Sequence, residues 1–557
     1  MRHDKPLSKV RQHYSQLKHD RQTWEPYWRE VKEFIAPQRG RFLSSSSGSE
    51  VNDGARNDRK RINGVASRAL GILASGIQSG LTSKARQWFL LTHPDPDLNR
   101  YKPVREWYDK VQDVLEGVFR RSNIYSALLH TYYEMAGFGN GAVAVMAHPS
   151  KTLFCRPFTV GSYYLSTDQW NDVDAFFYVE WLTARQMVQK YGYEQLPNEI
   201  RQAYDSKKME ERFETVNAVL KHPGDYGLRA KEGLPVVSVH FTGKGHDADG
   251  FLRVAGYRSF PVMTPRWDVI DTDVYGWAPT RDIMGDVKML QSMEVDGLKG
   301  IAKMVDPPMR IPASMERRGL DTRPGGLNPV ETMGENAVAP LYASAINLQQ
   351  LQLKIQSVQE DIKEGLYNSL FLALLMNDNP QMTAREVAER HEEKLLMLGP
   401  VLERIHYELL DPLIDRAFSL AVEEDLIPPP PEELENEPTQ IEYVSILSQA
   451  QKAVGISRIE QSVQFLANLV AVYPEVRHAL DPYKTFEVYG RALGVRAECF
   501  RGEKEYGERV QAEQQKEELA QGAAVGEQLA NSAAVMNDVN PANLKRLFEG
   551  GMGGPVF

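Results

Sequence analysis

Cysteine is almost absent. Cys155 and Cys499 are the two in 557 residues, far apart and in no C-x-x-C, which argues against a disulfide framework or a thiolate zinc site and fits a reducing compartment. Long apolar runs are missing too: no stretch approaches the ~18 residues that mark a membrane-spanning helix. The start, MRHDKPLSKVRQHYSQLKHDRQ, is charged and lacks the apolar core of a secretion signal. The expectation is a chain neither secreted nor membrane-bound. No G-x-x-x-x-G-K-[ST] occurs, which rules out a P-loop motor. H-E-x-x-H is absent as well, because Leu395 stands where the second histidine of His391-Glu392-Glu393 would be. A positive balance is also lacking. With 65 Lys and Arg against 75 Asp and Glu the net charge is −10, wrong for tight non-specific grip on nucleic acid but compatible with a duplex that slides past.

What is present is helix. Residues 1–35 carry Trp24, Tyr27, Trp28, Val31, Phe34 and Ile35 and stop before Pro37; 61–81 is rich in small residues; 105–135 carries Trp107, Val111, Leu115 and Phe119. From Gly137 to about Pro265, short runs such as Ala142-Val143-Ala144-Val145-Met146 and Val236-Val237-Ser238-Val239-His240 predict a β-rich region, with two short helices over 183–204. The most informative stretch lies between Arg281 and Phe418. A helix over 282–304 carries Ile283, Val287, Leu290, Leu298 and Ile301. It ends at Asp306-Pro307-Pro308, because proline lacks an amide hydrogen and restricts the residue before it. A Pro/Gly-rich insert from Val305 to Tyr342 follows, then a helix from about Ser344 that runs through Leu348, Leu351, Ile355, Val358, Ile362, Leu366 and Leu370. The pair reads as a hairpin. After the loop Asn377-Asp378-Asn379-Pro380-Gln381, Thr383 and Glu386 form a capping box that opens a long helix to about 424, kinked but not ended by Pro400 and Pro412. An acidic, proline-stiffened connector leads to helix from Ile441 onward, and the chain closes in an Ala/Gln/Gly-rich tail. The fold class is α+β, mainly α-helical.

Chemical motifs are weak. Gly137-Phe138-Gly139-Asn140-Gly141 has the look of a phosphate cradle but lies after a helix and before a strand, the reverse of the dinucleotide-binding order, and reads as a turn. His246, Asp247, Asp249, Asp271 and Asp273 are acids and a histidine of the type that could hold magnesium in a nuclease, without specific spacing. Lys288, Lys299 and Lys303 share roughly one helical face and are candidates to meet phosphates, or to pair with Glu360, Asp361 and Glu364 on the neighbouring helix. No cofactor and no metal ligand set is called for.

Three stretches resemble the portal, or head-to-tail connector, proteins of short-tailed bacteriophages. They are Trp28 to Phe42 with Leu73 to Ser83 and Trp88-Phe89; Met382 to Val387 with Leu398 to Arg404 and Pro412-Leu413-Ile414; and Ile441 to Gln451. The resemblance implies a homo-dodecameric ring of wing, stem, clip and crown around an axial channel for double-stranded DNA. It assigns 1–281 to the wing, 282–304 and 344–372 to the stem helices, and 305–343 to the clip. It assigns 373–382 to a channel loop, 383–449 to the long wing helix and connector, 450–515 to the crown and 516–557 to a barrel or tail. Candidate sites on this scheme are the loop Asn377, Asp378, Asn379, Pro380 and Gln381, the stem lysines Lys288, Lys299 and Lys303, and a clip docking set of Arg310, Glu316, Arg317, Arg318 and Arg323. Implied partners are the terminase large subunit, the major capsid and scaffolding proteins, the tail adaptor or nozzle, and internal core or ejection proteins. The implied place is the capsid portal vertex of the virion, after synthesis in the bacterial cytoplasm. Two alternatives belong to other classes: a metal-dependent nuclease built on the acids above, and a non-viral helical adaptor.

Overall fold

The computed structural model describes residues 6–42, 60–95, 98, 101–231, 233–243, 250–305, 348–375 and 397–434, with shorter pieces at 309–310, 321, 339–340, 440–443, 462–470, 473, 481–492, 506–512 and 515–516. The chain forms two units, Met1–Gly455 and Ile456–Phe557. In the second, the described elements are helices at 462–470, Pro482–Ala492 and 506–512, with Tyr483 and Tyr506 rings 5.2 Å apart.

The first unit is a mixture of helices and antiparallel sheets, helix predominating. Helix α1 (Pro6–Asp20) lays Leu7, Val10 and Leu17 on a five-stranded antiparallel sheet. Its strands, in spatial order, are β1 (Tyr163–Thr167), β2 (Val173–Thr183), β3 (Arg212–Leu220), β4 (Val236–Thr242) and β5 (Arg253–Tyr257). Phe177, Val216, Val239 and Phe241 meet α1 from the sheet, the alternation that a one-face-buried antiparallel sheet requires. Ala184–Tyr191 and Asn198–Asp205 are the two short helices expected inside the β region. The first opens with a capping box of Thr183 and Gln186.

A second core is all-helical at its centre. Val65–Leu81 buries Ala66, Ala69, Leu70, Leu73 and Ile77, and packs against Ile124–Phe138, whose left-handed end is Gly139 at φ 85°. The glycine run is a structural junction. A Cβ on Gly139 would stand 2.1 Å from the Gly276 carbonyl oxygen, while Asn140 accepts from Gly276 N at 2.8 Å and Trp267 N donates to Gly139 O at 2.9 Å. Thr280 Oγ1 donates to Gly137 O at 2.6 Å and the Trp28 indole donates to Phe138 O at 3.0 Å. Helix 2 of the chain, Glu25–Phe34, and the start of the hairpin are thereby tied to one turn.

Three expectations are corrected. The helix expected over 344–372 is two helices, Leu348–Gly365 and Asn368–Leu375, parted where Tyr367 takes a left-handed φ of 55°. Helix was expected from Ile441, yet Gln440–Tyr443 is a strand paired antiparallel with Phe89–Thr92, Leu91 opposite Ile441; a tertiary partner here overrides local pattern. Ile355, expected on the buried stripe, is half-buried, whereas Val358 and Ile362 are fully buried. The long helix is continuous from 397 to 423 and contains a π-helical turn, His406–Leu410, ahead of Asp411–Glu423. Asp411 N donates to His406 O. The wider turn accommodates the ring of Pro412, which would otherwise press on the carbonyl four residues back. The capping box at Thr383 and Glu386 lies outside the described residues.

Candidate functional site

The hairpin is built from Met284–Val305 and Leu348–Gly365. Its near half is locked into the body. Val287 and Leu290 are buried, and the buried Gln291 accepts from Ile62 N at 2.7 Å and Asn63 N at 2.8 Å while donating to Asn63 O at 3.0 Å. Asn63 Nδ2 reaches Glu294 at 2.6 Å, and its Oδ1 accepts from Val65 N at the start of the next helix. This clamp fixes the hairpin's root through an amide whose oxygen and nitrogen both have partners, the form in which a buried polar group stabilises. On the return helix of the hairpin, Val358 and Ile362 are buried, and Asn368–Leu375 sets Phe371 onto the bare backbone of Gly76, where a Cβ would fall 2.3 Å from the ring.

The far half is different. Gly297 admits Leu351 to 3.3 Å of where a Cβ would be, so the two helices stay in touch, but Leu298, Ile301, Met304, Val305 and Leu353 are exposed, Val305 by 80%. A lone hairpin has no reason to carry such a row in water. Contiguous exposed apolar side chains of this kind are the general mark of an interaction surface.

The three lysines separate. Lys288 belongs to the anchored half: its Nζ pairs with Glu30 at 2.7 Å and lies 6.0 Å from the Phe34 ring. Lys299 pairs with Asp296 of its own helix at 3.4 Å, an exposed contact of small energy. Lys303 is exposed near the helix end. Glu360, offered as a cross-hairpin partner, pairs with Lys363 at 3.0 Å. Arg310 lies on a two-residue strand paired with Ala339. Glu316, Arg317, Arg318, Arg323 and the whole loop Asn377 to Gln381 lie outside the described residues, as do His246, Asp247, Asp249 and His391. Of the acids considered for a nuclease, Asp271 sits in a turn at φ 52° and Asp273 accepts from the Trp277 indole at 3.0 Å. Among the described residues no group of three or more His, Cys, Asp or Glu is arranged to hold a metal, and no helix is long and apolar enough to cross a membrane.

Two buried polar clusters escape a reading by pattern. At the π-helical turn, Glu408 accepts from Arg266 Nη2 at 2.7 Å, Arg266 Nε at 3.1 Å and Arg266 backbone N at 2.7 Å, with Arg404 at 3.2 Å; Arg266 also donates to Asn171 O at 2.8 Å. With two guanidinium nitrogens on one carboxylate oxygen and the Arg266 amide on the other, this charge-assisted pair rivets the long helix to the sheet region. The second is Glu134, fully buried, accepting from Thr159 Oγ1 at 2.8 Å and Val160 N at 3.0 Å, with Arg39 at 3.5 Å. Burial pushes its carboxyl up to about 7 against the bonds that favour the charge. Neighbouring His130 is held down at about 4 by burial and by Arg39, so its 3.6 Å approach to Glu134 is no ion pair near neutrality. The Cys155 thiol is buried and pushed up to about 12, which makes it unreactive.

Residues 7–500 match the family described as bacteriophage head to tail connecting protein. The chain is 33% identical over 538 residues to a probable portal protein of Bordetella phage BPP-1, covering 96% of each. It is 33% identical over 533 residues to the portal protein of Salmonella phage epsilon15, covering 95% of each. A chain from the neck of an empty gene transfer agent particle aligns over 76% of this chain and 93% of its own length at 11% identity, with a TM-score of 0.33, too low to define a shared fold. The relatives match end to end, and the chain belongs to the bacteriophage head-to-tail connecting, or portal, protein family.

Proposed function

We propose that this portal-family chain assembles as a dodecameric ring at one capsid vertex and forms the conduit through which double-stranded DNA is packaged and later ejected. The observation that carries this reading is the end-to-end similarity to portal proteins. The chemistry agrees with it: a net charge of −10 favours passage of a duplex over retention, and the exposed apolar row on the far half of the hairpin supplies a face for neighbouring copies. In this scheme Met284–Val305 and Leu348–Gly365 are stem helices, and 305–343 is the clip that docks the terminase large subunit and then the tail adaptor. The loop at 377–381 faces the duplex, and Lys303 together with Lys299, whose own pair with Asp296 is exposed and longer than that of Lys288 with Glu30, are the stem lysines that meet phosphate. Capsid, scaffolding and internal core proteins complete the set of partners, and the chain is a virion component with no catalytic step of its own. Infection with phage carrying a nonsense mutation in this chain's coding sequence tests the reading: heads should form without DNA, and DNA-filled heads would contradict it.

A further inference from the structure

A rigid turn holds one tryptophan out in water. Trp170 is 78% exposed, whereas Trp28, Trp88 and Trp267 are exposed by 5% or less. The turn between β1 and β2 that carries it is heavily braced. Asp168 accepts from Trp170 N at 2.8 Å and Asp172 N at 3.0 Å, Asp168 N donates to Asp172 O at 2.9 Å, and Asn171 takes a left-handed φ of 63°. Arg266, itself fixed by Glu408, donates to Asn171 O at 2.8 Å, and the Asn171 amide reaches Asp271 O at 3.5 Å. Two more exposed apolar side chains stand on the elements that meet there. Ile270, 58% exposed, precedes Asp271, and Tyr407, 60% exposed, extends from the π-helical turn to bond Asp172 at 3.0 Å. A turn whose backbone is already braced has little backbone entropy to lose when a partner covers it, and tryptophan is the kind of side chain that dominates an interface.

The rim defines the partner. Asp268 and Asp271 are exposed, Asp168 and Asp172 edge the turn, and Glu408 is shared by Arg266 and Arg404, so four aspartates outweigh the one positive charge left over. We infer that Trp170, Ile270 and Tyr407 form a docking surface for a basic segment of another virion protein, one that places an apolar side chain against the indole and Lys or Arg against the aspartates. Complementary charge of this kind sets partner choice and register.

The test replaces Trp170 in the full-length chain by the photo-crosslinking aromatic benzoylphenylalanine, in cells producing the phage, and maps the linked peptide by mass spectrometry. The expected result is a link to a Lys/Arg-rich segment of a different protein, with yield falling about tenfold when Asp268→Asn and Asp271→Asn are added. Asparagine tolerates the left-handed backbone at 271, so a fall in yield reports charge and not misfolding, and unchanged assembly of the doubly substituted chain checks this. A link to another copy of this chain, a link to an acidic or neutral segment, no link, or a yield indifferent to the aspartates would each overturn the inference.

Discussion

Removing the carboxylate of Glu408 is the sharpest perturbation of the first unit. Arg266 is 3% exposed at its side chain and Glu408 9%, so water cannot replace what is lost. In Glu408→Ala the guanidinium keeps its bonds to Asn171 O and Val274 O but loses both direct contacts to the carboxylate, and the Arg266 amide loses its acceptor. A buried charge stripped of its partner costs about 3–5 kcal/mol. The pair joins the π-helical turn to the loop that leads into the hairpin, so the loss falls on the joint between long helix and sheet region. Replacing both groups by apolar side chains, Arg266→Met with Glu408→Leu, removes the stranded charge and should recover part of the loss, the backbone N–H of residue 266 and the Asn171 and Val274 carbonyls staying without these partners. Equilibrium urea unfolding of the full-length protein reads the three variants, with amide exchange at residue 266 reporting the local change. A loss below about 1 kcal/mol for Glu408→Ala, or a double variant worse than the single, would refute the account of this joint.

Glu134 and His130 give opposed pH dependences. A carboxyl raised from 4.5 to about 7 binds its proton more tightly in the folded chain, so its contribution is present below the unfolded value and is lost as pH rises toward 7. A histidine lowered from 6.5 to about 4 does the reverse: its contribution is lost as pH falls from about 6.5 to 4. Glu134→Gln should therefore gain stability relative to the parent as pH is raised from about 4.5 to 7, measured by urea midpoints at each pH; a constant difference would exclude the raised carboxyl. Gly76→Ala should destabilise by about 1–3 kcal/mol, because Phe371 must shift, and an unchanged melting temperature would place that helix elsewhere. Deleting 377–381 should leave assembly intact while lowering DNA content per head, by nuclease-protected DNA; unchanged genome content would remove the loop's role.

Periodicity made much of this fold legible. The turn from helix to strand at Gly137 to Gly141, the two short helices after Thr183 and the hairpin at 284–365 all follow from local pattern, because turn chemistry and a one-sided apolar stripe are local properties. What stayed hidden depends on distant partners. Gln440–Tyr443 is a strand because Phe89–Thr92 is beside it. Arg266 and Glu408, 142 residues apart, look like ordinary charges until the fold buries them together. Tyr367 is an unlikely residue for a left-handed break by composition, and only the meeting of Ile283 with Gly365 and Phe371 with Gly76 accounts for a turn there. Of the candidate site residues, Lys288 was separable from Lys299 and Lys303 only by Glu30, which stands 258 positions earlier in the chain.

A conduit for DNA requires copies of this chain to close into a ring around a channel. Electron microscopy of the purified full-length protein, alone and with capsid components, with class averages viewed along any symmetry axis, tests it most directly. Twelvefold rings with a central hole are expected, and compact monomers under both conditions would overturn the proposed ring.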